Sequence, residues 1–482
     1  MGFVCVVACD VDNEIKIVVL RLIGVNVVIL WKEKYKKTNS FKSNIPFFVS
    51  IYPKYVILYV FYMFNLKLNE FWRNISIVSV GYVISQLIVI IAIPILSRIY
   101  HPENFGLQSI YLSFALILGS LFTLKYELPI VFAKEDKESF SLVILTISFS
   151  ALFSLVFFTL FLFFGDLIFN YLDLENDLIL IFSIFVTTLL IGLLSALLQF
   201  NNKKKKFSVS SSSNIIQSVS NALGAILFGV FGVLKYGLIY GYLLSYSFSV
   251  IFLFFSNYKT LLFHYKDYAN IKNFKSAFKE YVKYPKIILP TTLFSILSAQ
   301  IIPILLQILY TPTFVGYFAM SNRLSLLPSI VIGGAIGSVL RTEVSILENE
   351  SKSIRPLFLS LVRKMFVIGI ILYSVLGIIS PWLFKFALGE SWYNAGILNQ
   401  SVVLYAFSIF MTQCFYDILL VKKQYKVYFY IQLSLFVIII FSLLLGNYLF
   451  NKNPYHTISF MAGCVFIVLM VSLKIIYNFS ED

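Results

Sequence analysis

From residue 63 onward the chain alternates between apolar runs of roughly 20 residues and short polar breaks. Runs of that length with few charges match the hydrocarbon thickness of a bilayer. In hydrocarbon the backbone amides must be satisfied within the segment itself, which makes each run a helix. The pattern predicts twelve spans, near 75–97, 107–124, 140–164, 178–200, 212–233, 236–256, 287–310, 313–340, 365–386, 397–421, 427–450 and 457–477. Composition agrees: 59% of the 482 residues are hydrophobic and 13% charged, far too apolar a chain to hide inside a water-soluble fold. A net charge of +15 would suggest nucleic acid in a soluble domain. Here the basic residues sit in the breaks, so they act as topology signals, and no nucleic-acid partner is expected.

Those charges also orient the chain. Counted from Met63, the alternate breaks that include both termini hold 25 Lys and Arg, and the other breaks hold 4. Both termini are therefore expected in the cytoplasm. One basic residue, Arg323, belongs to neither set and lies inside the eighth span. The first 62 residues do not fit the scheme, because Ile17 to Trp31 carries Arg21 and Ile45 to Tyr62 carries Pro53 and Lys54. Neither stretch is a clean span or a signal peptide. The expected organisation is an atypical segment 1–62, a first six-helix bundle 63–257, a cytoplasmic amphipathic linker 258–286 and a second six-helix bundle 287–482. Translation starting at Met63 explains the first segment; an additional hairpin or interfacial segment is the other reading. Four cysteines (Cys5, Cys9, Cys414, Cys464) and three histidines (His101, His264, His456) are scattered without metal-ligand spacing, so no metal, cofactor or catalytic centre is expected.

An internal repeat gives the halves their relation. Ile93-Pro94-Ile95-Leu96 is followed by Pro102 and Gly106, and Ile302-Pro303-Ile304-Leu305 by Pro312 and Gly316. A basic-x-Glu pair follows in each half, Lys125 with Glu127 and Arg341 with Glu343. Six spans separate equivalent points, an even number, so the halves enter the membrane in the same sense and form a parallel repeat. Pro94, Pro290, Pro303 and Pro328 lie in or at the start of spans one, seven and eight, where each removes a helix hydrogen bond and permits bending.

The same residues carry a resemblance. Ser97-Arg98 with Pro102-Glu103-Asn104-Phe105-Gly106, Lys125-Tyr126-Glu127-Leu128, and Asn202 to Phe207 leading into Ile216-Gln217-Ser218 form its first half. Tyr284-Pro285 with Pro290, Asn322 to Pro328, and Leu388-Gly389-Glu390-Ser391-Trp392 with Ala395-Gly396 form its second. In order and spacing the chain resembles the oligosaccharide flippase family of polysaccharide and O-antigen biosynthesis, within the multidrug/oligosaccharidyl-lipid/polysaccharide exporter superfamily. The resemblance covers roughly Asn74 to the C-terminus. It implies an all-α membrane protein, not an enzyme, that moves a polyprenyl-diphosphate oligosaccharide from the inner to the outer leaflet of the cytoplasmic membrane by alternating access. The implied partners are that substrate, membrane lipid, a polysaccharide polymerase and a chain-length regulator.

Arg323 is the sharpest candidate contact for such a substrate, since an intramembrane charge is costly and guanidinium pairs well with phosphate. Snorkelling to the outer interface is its plain alternative. Gln86, Gln217 and Gln300 are intramembrane amides suited to sugar hydroxyls or to bridging helices. Arg98, Lys125, Glu127, Arg341 and Glu343 are gate residues or ordinary helix-end charges. Gly237 with Gly241, and Gly333 with Gly337, have the small-x-x-x-small spacing of close helix packing. Ile271, Phe274, Phe278 and Tyr281 beside Lys272, Lys275, Lys279 and Lys283 describe a membrane-surface helix.

Other readings are a drug exporter or lipid II flippase of the same superfamily, and a membrane oligosaccharide polymerase. Asp417 is the one acidic residue inside a span, close to Lys422, which speaks against a drug exporter. A polymerase needs a substantial outer loop, whereas the outer breaks are short and Asp166 and Asp173 suit solvated loops. Peptide mass spectrometry of the purified protein is expected to find nothing upstream of Met63; any peptide from that region rules out the internal start.

Overall fold

The computed structural model describes residues 5–9, 15–22, 25–32, 70–171, 177–268, 271–350 and 352–480. Two compact units, Met1–Lys67 and Leu68–Asp482, are distinguished by their contacts. The first contains strands β1 (Cys5–Cys9), β2 (Ile15–Leu22) and β3 (Val25–Lys32), an antiparallel sheet in that order with Cys5 opposite Leu20 and Ile15 opposite Lys32. The chain is thus nearly, not wholly, helical. Met63 and the rest of segment 1–62 lie outside the described residues, as does Asp173.

The second unit is built from helices α1 (Glu70–Ile99), α2 (Pro102–Phe122), α3 (Asp136–Tyr171), α4 (Leu178–Lys203), α5 (Phe207–Val230) and α6 (Gly237–Tyr268). A short α7 (Ile271–Glu280) leads to α8 (Leu289–Leu309), α9 (Pro312–Pro328) and α10 (Gly334–Asn349). Then follow α11 (Arg355–Leu388), α12 (Tyr393–Thr412), α13 (Tyr416–Val421), α14 (Tyr425–Leu449) and α15 (Pro454–Phe479). Among the described residues twelve segments are long and apolar enough to cross a membrane, and each overlaps one predicted span. The largest departure at a helix start is α11, which begins at Arg355 rather than near 365. Its first turns carry Arg355, Arg363 and Lys364, because helix formation continues past the apolar run where water can solvate the charges.

Local chemistry fixes several helix starts. Pro102 and Pro312 open α2 and α9, where a missing N–H costs nothing. The Asn104 side chain accepts from His101 N at 3.0 Å, and Thr311 Oγ1 from Phe314 N at 3.3 Å. Two of the predicted bends are wide π turns, at Tyr284–Ile288 before Pro290 and at Ser329–Gly333 after Pro328. Helix α7 docks through aromatic stacking, with Tyr126 5.8 Å from Phe278 and 5.7 Å from Phe149 of α3. Burial, reinforced by the Glu138 carboxylate, pushes the Tyr281 phenol beside it up to about 12.

The two halves repeat one packing scheme. In the first, α1 packs on α5, α5 on α6, α3 on α4, α2 on α4 and α4 on α6. The equivalent pairs of the second half, α8 with α14, α14 with α15, α11 with α12, α9 with α12 and α12 with α15, make the same contacts. The halves meet where α2 crosses α9. There the repeat-related glycines face each other: a Cβ on Gly106 would overlap the Pro312 carbonyl oxygen and lie 3.2 Å from Gly316 N, and one on Gly316 would overlap the Pro102 carbonyl oxygen and lie 3.2 Å from Gly106 N. Backbone touches backbone, so no other residue fits at either place. Around this crossing a mixed core forms from both halves, including Ile93, Tyr100 and Phe105 with Met320, Phe384 and Trp392. Trp392 is fully buried, donates from Nε1 to Ser97 O at 3.0 Å and stands edge-on to Phe105 at 5.1 Å. Ser97 Oγ donates back to Leu388 O at 3.0 Å.

Replacing Gly106 or Gly316 by Ala is expected to lower the unfolding midpoint in detergent, by about 1–3 kcal/mol of overpacking. Gly463→Ala, with open space around it, is the control that leaves the midpoint in place.

Candidate functional site

Beside the α2–α9 crossing lies a cavity of about 1020 Å³. From the first half it takes one face of α2 and Tyr242 of α6; the remaining walls come from the second half, namely α8 to α10 and α12 to α15. The π turn at Ser329–Gly333 forms part of its wall. Ile330, Gly333, Gly334 and Gly337 line it, and a Cβ on Gly333 or Gly334 would meet nothing within 4 Å. Gly333 therefore borders a space, whereas a Cβ on Gly337 would lie 3.5 Å from the Cys414 side chain, so Gly337 seats the segment before α13. Gly241 behaves as its spacing suggests, with a built Cβ only 2.9 Å from Ala225 N.

Three of the sequence-derived residues meet here. Arg323, half-buried on α9, lines the cavity and has no ion-pair partner among the described residues. Gln300 of α8 lines it too, its Oε1 accepting from Ser113 Oγ of α2 at 3.3 Å, so the amide ties the two halves together. Arg341 of α10 lines the far end with its side chain 65% exposed. Gln86 and Gln217 do not line this cavity: Gln86 bonds Tyr82 on its own helix, and Gln217 is half-buried on α5. Arg98 is exposed in the last turn of α1, where a cation suits the helix dipole.

The ion pairs differ between the halves. Arg341 does not pair with Glu343, because residues two apart on a helix point in different directions, and Glu343 is exposed. Instead Arg341 Nη2 binds Asp417 Oδ1 of α13 at 2.7 Å. Lys125 and Glu127, also two apart, do pair, at 3.4 Å, because the chain there is no longer helical. Leu124 and Lys125 have φ of 49° and 60°, a left-handed turn that non-glycine residues seldom enter, and it folds the ammonium onto the carboxylate. The pair is largely buried, with side-chain exposures of 13% and 7%, and Glu127 Oε2 has no hydrogen-bond partner among the described residues. It borders a smaller cavity of about 300 Å³ that shares Leu116, Ser295, Ala299 and Gln300 with the larger one.

Sequence reasoning did not single out several polar residues of the cavity wall. Asn322, with its Oδ1 buried and unpartnered, sits beside Arg323; Gln108, Gln413 and Gln432 come from three other elements. Their only linear signal was an amide within an apolar run, which does not distinguish a cavity face from a helix contact. Among the described residues no group of His, Cys, Asp and Glu could hold a metal ion.

The family described as "Polysaccharide biosynthesis protein" matches residues 95–396. No curated protein matches the chain in sequence. An inward-facing multidrug resistance MATE transporter of the MOP superfamily superposes with a TM-score of 0.61 at 13% identity, over 84% of this chain and 94% of that one. The lipid II flippase MurJ in an inward closed conformation gives 0.59 at 15% identity, over 82% and 87%. A Vibrio cholerae MATE transporter gives 0.54 at 13% identity, over 85% and 95%. At these identities the shared property is the fold, a multi-pass membrane fold found in transporters.

Lys125→Met is expected to destabilise the protein by about 3 kcal/mol, since it strands the buried Glu127 carboxylate. Unfolding in detergent should show Lys125→Met combined with Glu127→Gln recovering most of the loss.

Proposed function

The chain belongs to the polysaccharide biosynthesis protein family, and on that premise we propose that it flips a polyprenyl-diphosphate-linked oligosaccharide across the cytoplasmic membrane for O-antigen, capsule or exopolysaccharide assembly. It acts as a transporter and not as an enzyme. The carrying observation is the cavity of about 1020 Å³ with Arg323 on its wall, directly beside the crossing of the two halves. That volume is at the upper end of ordinary ligand cavities, about 300–1000 Å³. A guanidinium there can take two phosphate oxygens through paired charge-assisted hydrogen bonds, in surroundings that screen charge poorly. Gln300 and Asn322 are placed to meet sugar hydroxyls near the same headgroup. Gln86 and Gln217 serve helix packing in this reading.

The excess of positive charge in alternate breaks supports cytoplasmic termini, and the matching packing supports two parallel six-helix bundles, 63–257 and 287–482, joined by 258–286. In that orientation the Gly106–Gly316 crossing closes the outer end, and Arg341 stands at the cytoplasmic mouth. The cavity is then set to load from the inner leaflet, and separation of α2 from α9 would release the substrate outward. A polymerase and a chain-length regulator would act on the product.

Deleting the gene is expected to leave complete lipid-linked oligosaccharide on the cytoplasmic leaflet; single units displayed outside but not joined would point to a polymerase. Complementation with Arg323→Ala at normal abundance should reduce surface polysaccharide about tenfold, the loss of one charge-assisted contact. Full flipping by that variant would end the headgroup role of Arg323.

A further inference from the structure

Arg323 and Arg341 lie on one continuous helical line, α9 through the π turn into α10. Eighteen residues separate them, which at helical rise is about 27 Å. One diphosphate cannot bridge that distance. The two guanidiniums therefore stand at separate places on the cavity wall, Arg341 exposed and Arg323 half-buried. They differ also in pairing: Arg341 is held by Asp417 at 2.7 Å, and Arg323 has no such partner among the described residues. Among the described residues that line the cavity Asp417 is the sole carboxylate, and its side chain is 13% exposed against 65% for Arg341. The acid is fixed in the wall and the base reaches into the opening. Its other ionisable neighbours are Tyr428 of α14 and Cys414, while Lys422 is engaged by Glu348 at 3.7 Å.

We propose that Asp417 is an internal counter-anion: it occupies Arg341 when the cavity is empty, yields it to the incoming diphosphate, and reclaims it once the headgroup has moved on toward Arg323. This rests on the diphosphate substrate proposed above. Magnitudes favour the exchange. An ion pair with one exposed partner contributes about 0–1 kcal/mol, little enough for a phosphate with more charge and more acceptor oxygens to displace it. Without a competitor, a half-exposed arginine at the mouth would keep the lipid headgroup where it first lands. Asp417 thus tunes release from the mouth and does not itself contact substrate.

The test uses farnesyl diphosphate as probe and the full-length protein in nanodiscs, with flipping followed by surface polysaccharide in the deletion strain. Asp417→Asn is expected to bind the probe up to about fivefold more tightly, the most that loss of a competing ion pair of that strength allows, and yet to flip more slowly. Arg341→Ala and the double variant Arg341→Ala/Asp417→Asn should bind equally weakly, because the gain depends on the freed guanidinium. Asp417→Ser gives the same comparison if the Asn variant does not fold. Unchanged or weaker binding in the Asp417 variants, or a gain that persists without Arg341, overturns the inference alone. Failure of every variant and of the unsubstituted protein to bind the probe overturns the diphosphate substrate and this inference together.

Discussion

The approach of α2 to α9 at Gly106 and Gly316 is the constraint on which the rest of the second unit depends. Two helix N-terminal turns lie backbone to backbone, and the Pro312 and Pro102 carbonyls occupy the space that side chains on Gly106 and Gly316 would need. Contacts this close are short-ranged and need near-perfect fit, so they hold one arrangement firmly and no neighbouring one. Around them gather Phe105, Tyr100 and Trp392, with Ser97 accepting from Trp392 Nε1 and donating to Leu388 O across the halves. Beyond this end α2 also packs on α8, where Ser113 bonds Gln300, and the cavity lies beside these contacts.

The cavity in turn depends on irregular helix. Pro328 ends regular hydrogen bonding in α9, the π turn takes up the misfit, and the glycines after it leave the wall bare. Such a wall is costly in a membrane protein unless polar groups find partners or water, and Arg323, Asn322 and Gln300 stand there. The charges differ along it: one half-buried guanidinium without a counter-ion among the described residues, and one exposed guanidinium paired with a carboxylate. That difference is the electrostatic basis of the proposed transport of an anionic lipid headgroup.

The number, order and approximate limits of the twelve spans were legible in the sequence, because the length of an apolar run is set by bilayer thickness alone. The repeat was legible too, through Pro102 and Gly106 against Pro312 and Gly316, since prolines at helix starts and glycines at close approaches admit few substitutes. Arg323 stood out because hydrocarbon penalises a charge wherever it sits. What the linear pattern lacked was direction. It could not tell that Gln300 faces the cavity while Gln86 and Gln217 do not, because all three are amides in apolar runs.

Pairing was decided only in three dimensions. The two basic-x-Glu motifs look alike in sequence, yet Lys125 reaches Glu127 through a left-handed turn, whereas Arg341, on a regular helix, turns from Glu343 to Asp417, 76 residues away. A backbone dihedral and a distant helix, neither visible in a local motif, separate the two outcomes. The sequence by itself determined how many segments are long and apolar enough to cross a membrane and where the proline and glycine motif recurs, since solvent and chain sterics act on each segment alone. The tertiary structure decided which faces look into the cavity and which charges meet, because those depend on how the segments rotate against one another.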